Sequence, residues 1–241
     1  MHVLSLNFDR ADVCNAMISL SKPRYNLQQA AITLAIGPVT DSMTTYYAPQ
    51  SDILISPAPC SCDRYLTEII IDLRKLSDKP PMNALDGSIT DQLYLVERRL
   101  VTRLNPSNKA HHSPSCQSLI RPPFIAAVIY IYSCLRDFPL QAPLFDAFVA
   151  RLSGALFEDP AQAWERSGYS MLHWVLAMGS MAASGRADRC RFIAELEGIS
   201  GALDVRTFEN FENTLRRIVW NGRSADALKS VWGDILEVRQ G

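Results

Sequence analysis

A chain of 241 residues, 48% apolar and 20% charged, is long enough for one large domain whose core needs no metal or disulfide staple. Its 24 basic residues stand against 25 acidic ones, a formal net charge of −1, with the two signs interleaved. Proteins that grip nucleic acid carry a basic excess or stripe to neutralise phosphates, so this balance argues against direct binding of DNA or RNA.

The first part of the chain is proline-rich: eleven of the fourteen prolines fall at or before Pro123. Residues 1–63 show no sustained periodicity, and Pro38, Pro49, Pro57 and Pro59 bracket a segment that reads as an irregular connector. Asp9 and Arg10 interrupt the start before any apolar run long enough for a secretory signal. The six cysteines (Cys14, Cys60, Cys62, Cys116, Cys134, Cys190) are scattered, and reduced thiols are expected.

Residues 64–241 read as an all-α domain of about eight or nine helices, with no strand pair. Leu66, Ile69, Ile70, Leu73 and Leu76 recur at helical spacing, and Leu93, Val96, Leu100 and Leu104 do the same until Asn105-Pro106 stops them. Lys109 to Ser118 reads as a linker, after which Pro122 and Pro123 are expected in the first turn of a helix over Phe124–Leu135. Pro143 opens another helix, and Asp159-Pro160 starts a short one that Gly168 ends. Gly198 is the expected stop for the helix containing Arg189–Leu196. Asp204 is expected to cap the helix of Phe208, Phe211, Leu215 and Ile218, and Ser224 the helix of Leu228, Val231, Trp232 and Ile235.

The segment Ser167–Gly185, "SGYSMLHWVLAMGSMAASG", contains no charged residue. A membrane span needs about 20 consecutive apolar residues, and the strongly apolar part here runs only from Met171 to Ala183. It therefore reads as a helix buried on most sides, with no membrane span in the chain. His173 is its one strongly polar side chain and must find a partner, a backbone carbonyl or an acid on a neighbouring helix, because unpaired polar burial is costly.

Catalytic and metal signatures are weak. Cys60, Cys62, His111 and His112 supply enough nitrogen and sulfur for zinc, but one residue between the cysteines strains a shared tetrahedron, and no metal is expected. Ser170 and Ser180 complete no G-x-S-x-G elbow, Glu158-Asp159 forms no aspartate cluster, and no glycine-rich phosphate loop occurs. Cys134 and Cys190 lie on apolar helix faces, where burial leaves a thiol inert. No catalytic residue and no cofactor are assigned.

The order of the later helices resembles the C-terminal regulatory domain of fungal zinc-cluster transcription factors. The pieces that carry the resemblance are Leu172 to Gly179, Arg189 to Leu196, Leu215 to Trp220 and Leu228 to Trp232, with the alanine- and tyrosine-containing helix around Tyr130 upstream. It is best over residues 119–238. The family's DNA-reading module needs two closely spaced cysteine sets beside a basic segment, and these six cysteines match it in number only. DNA-binding residues are therefore not carried over. What the resemblance implies is a nuclear regulatory domain acting through protein partners of the transcription machinery or a DNA-binding partner, with a small-molecule effector that His173, Trp174 and Tyr130 would contact. The alternative is an all-α small-molecule-binding module with no transcriptional role, its pocket lined by Phe124–Leu135 and Met171–Ala183, and after that an all-α enzyme; the cytoplasm is the alternative location.

Overall fold

The computed structural model describes residues 61–78, 87–104, 114–157 and 168–240. These form eight α-helices and no strand: α1 (Ser61–Ser77), α2 (Gly87–Leu104), α3 (Pro114–Tyr130), α4 (Leu144–Phe157), α5 (Tyr169–Ala182), α6 (Arg189–Ala202), α7 (Phe208–Ile218) and α8 (Ala225–Gln240). The all-α expectation holds over this part of the chain. The expected irregular region lies outside the described residues up to position 60, as does the short helix expected after Asp159-Pro160.

The charge-free segment becomes α5, and every residue from Met171 to Ala182 is buried. A helix apolar all round can only sit at the centre, and α5 packs against α3, α4, α6, α7 and α8. Its glycine fixes how close two of these come: a Cβ added at Gly179 would stand 2.6 Å from Cε1 of Phe192 on α6 and 3.0 Å from Cδ2 of Leu152 on α4. The helix pair α1 and α2 packs on α3 through the leucine and isoleucine stripes. Among the described residues, no helix is long and apolar enough to cross a membrane.

Several boundaries differ from expectation. Helix α3 starts at Pro114, inside the expected linker, so Pro122 and Pro123 lie in the helix interior rather than its first turn. Their missing N–H groups remove two donors from its ladder, which runs on regardless because Phe124 to Tyr130 are all buried. Its far end widens into a π-turn over Ile131–Leu135, closed by the Arg136 N–H donating to Ile131 O at 2.8 Å. Gly198 does not stop α6, which continues to Ala202. Asp204 takes the left-handed position there instead (φ 55°), and so cannot cap α7. Thr207 caps it, its hydroxyl accepting from Asn210 N–H at 3.2 Å. Ser224, expected to cap α8, has φ 60° and sends its hydroxyl to Ser133 O in the π-turn at 3.1 Å.

The π-turn is fixed by ionic as well as apolar contacts. Glu97 on α2 is 1% exposed and receives two bonds from Arg136, Nε to Oε1 at 2.6 Å and Nη2 to Oε2 at 2.8 Å. Geometry this complete is what allows a buried carboxylate to persist.

Candidate functional site

Of the three side chains proposed from sequence, Tyr130 and Trp174 meet in the core, while His173 turns to other neighbours. Tyr130, His173 and Trp174 are each 0% exposed, and the rings of Tyr130 and Trp174 lie 6.3 Å apart. Helices α3 and α5 are thus in direct contact along this seam. The indole Nε1–H of Trp174 donates to Val219 O at 2.9 Å, just past the end of α7. The hydroxyls of Tyr130 and Ser77 are 2.7 Å apart, and Ser77 donates its proton to Leu73 O at 2.6 Å. The Tyr130 phenol is therefore the donor between the two. Burial, ahead of the nearby Cys134 thiol, raises the phenol well above its ordinary pKa, so it stays protonated.

His173 faces α6 and α7. Its Nε2 is 3.2 Å from Ser200 Oγ, and its ring meets Phe211 edge-on at 4.9 Å. The partner is therefore a hydroxyl, in place of the expected carbonyl or acid. Nδ1 has no partner among the described residues. Buried N–H groups are the costlier orphans, which favours the tautomer that donates from Nε2 to Ser200 and leaves an acceptor unmet. Burial pushes the imidazole down to about 3, so it is neutral at physiological pH.

A serine beside a histidine is the first half of a nucleophilic pair, and the geometry shows what this one lacks. Both residues are 0% exposed, the imidazole is a poor base at such a pKa, and no acid among the described residues orients its second nitrogen. The contact ties α5 to α6. Ser180, one more buried hydroxyl on α5, has no partner among the described residues.

The thiols divide. Cys134 is buried and its pKa is pushed up to about 11 by that burial, as expected of an inert thiol. Cys190 is exposed, contrary to expectation, because the buried face of α6 runs through Phe192, Ile193, Leu196 and Ser200 and misses it. The side chains of Cys60, Cys62, His111 and His112 lie outside the described residues, among which no group of three or more metal-ligating side chains forms.

Sequence reasoning overlooked Ser200 and Glu97, though both carry a legible signal. Ser200 follows Leu196 by four positions on the buried face of α6, and Glu97 falls four after Leu93 and three before Leu100. A polar residue in register with an apolar stripe marks a buried partner. The chain matches no protein-family profile, no curated protein and no solved structure.

Proposed function

We propose that this chain is a helical regulatory domain of the kind found in fungal zinc-cluster transcription factors, acting in the nucleus through protein partners. The single observation that supports the reading is the resemblance carried by α5 and the three helices after it. The tryptophan- and glycine-anchored stretch Leu172–Gly179, the Arg189–Leu196 helix, the stretch ending at Trp220 and the Leu228–Trp232 helix occur in the order of that family's domain. Their apolar residues enter one shared core, a use in keeping with a folded domain.

The test joins the full chain to an unrelated sequence-specific DNA-binding domain in a fungal cell carrying a reporter gene. A several-fold change in reporter output over the DNA-binding domain alone, in either direction, is the expected result. Unchanged output from a fusion that is expressed and nuclear overturns the reading.

A further inference from the structure

A groove of about 320 Å³ opens between the α6–α7 turn and one stripe of α7, away from the core site. That volume is at the lower end of the range for small-molecule sites, roughly 300–1,000 Å³. Val205, 3% exposed, and Leu203 form its apolar floor. The Val205 N–H donates to Ser200 O at 2.8 Å and its carbonyl accepts from Arg239 Nη2 at 3.1 Å, so the floor is held by its own main chain.

The walls are polar and incompletely matched. Asp204 holds its carboxylate at the rim; one oxygen accepts from Arg206 Nε at 2.6 Å, in a pair 77% and 80% exposed, and the other accepts nothing among the described residues. An ion pair this exposed is worth little and yields readily to a competitor. Arg217 faces the same groove, and among the described residues no carboxylate pairs with it. Between them along α7 stand Asn210 and Asn213. Asn213 Oδ1 accepts from Arg216 at 3.2 Å, while its amide donors and the whole Asn210 carboxamide are unused among the described residues. Asn210, Asn213 and Arg217 recur at helical spacing on one stripe of α7, and Asp204 precedes that helix in the chain, so all four side chains line one wall of the groove.

An anion, a cation, two carboxamides and an apolar floor in one small groove complement a molecule with a carboxylate, an ammonium, a peptide group and an apolar side chain. We propose that this groove binds a short free-ended peptide of two or three apolar residues, its carboxylate on Arg217, its ammonium on Asp204 and its peptide group on Asn210 and Asn213. Peptide binding here does not depend on the transcriptional reading and survives that reading's failure.

The test measures the melting temperature of the full chain with leucyl-leucine, against its N-acetyl and C-amide forms. Leucyl-leucine at saturation should raise the melting temperature by about 3 °C or more, and each blocked form should bind at least tenfold more weakly. Arg217→Gln should bind acid and amide equally, and Asp204→Asn should bind free and acetylated peptide equally. Both variants are compatible with the fold: asparagine tolerates the left-handed conformation at 204, and Arg217 serves the fold through its main-chain carbonyl. No shift with leucyl-leucine, equal binding of both blocked forms, or variants that discriminate as the parent does would each overturn the assignment.

Discussion

His173 is buried without charge, and that choice has a direct consequence for stability. Its pKa is about 3 in the folded chain and ordinarily about 6.5 in an unfolded one, so between these values the unfolded state binds the additional proton. The folded-state value is the depressed one. The contribution of His173 is therefore fully present above pH 6.5 and is lost as pH falls towards 3. Linkage puts the loss between pH 7 and pH 5 at about 2 kcal/mol from this residue. Denaturant titrations across that range should show it in the parent and not in His173→Gln, which can still bond Ser200 but does not titrate; an unchanged slope in the variant would remove His173 as its source. The burial behind this was legible in sequence, since a histidine inside a charge-free helical stretch has nowhere else to go. Its partner was not, because Ser200 lies 27 positions away and one helix's period says nothing about which neighbour it meets.

At the scale of the element, α5 and α6 show why one residue type has opposite meanings in adjacent helices. Gly179 has Phe192 and Leu152 where a Cβ would go, whereas a Cβ added at Gly198 meets nothing within 4 Å. Alanine gains about 1 kcal/mol over glycine in a helix interior, and overpacking a filled core costs about 1–3 kcal/mol. Phe192 is 0% exposed and cannot swing aside into solvent, so at Gly179 the packing cost wins. Gly179→Ala should lose about 1–2 kcal/mol and Gly198→Ala should gain roughly 0.5–1 kcal/mol. Thermal unfolding of the pair checks this, and the same sign for both would contradict the packing contrast. Helix existence was readable because apolar stripes repeat every three to four residues. Helix ends were read from Pro122, Gly198 and Asp204 as punctuation, and at each the burial of the next residues, or a left-handed backbone, decided differently. Local chemistry proposes a stop, and an apolar face that must still be covered carries the helix through it.

Across the whole molecule, α1 is joined to helices far later in the chain by a polar tie that no local pattern announces. The last carbonyls of α7 have no partners within their own helix. Arg74, on α1, supplies them: its Nε donates to Ile218 O at 2.5 Å across 144 positions, and its Nη2 donates to Arg217 O. Arg216 and Arg217 already place positive charge in that last turn, which the helix dipole favours, but neither forms these two bonds. Arg74→Met keeps the apolar stem and removes the donors, so the loss belongs to the guanidinium. Bonds from a charged donor contribute about 1.5–3 kcal/mol each, and partial exposure of Arg74 holds the pair to roughly 2–3 kcal/mol. For a domain of this size that is a fall of about 4–10 °C in melting temperature. Hydrogen exchange separates a latch from a general weakening, because a latch protects its own ends first. In Arg74→Met the amides of α1 should exchange faster than those of α5, which five other helices enclose. Equal loss of protection in α1 and α5 would mean that the two open together and that Arg74 stabilises the whole domain instead of holding α1 to α7.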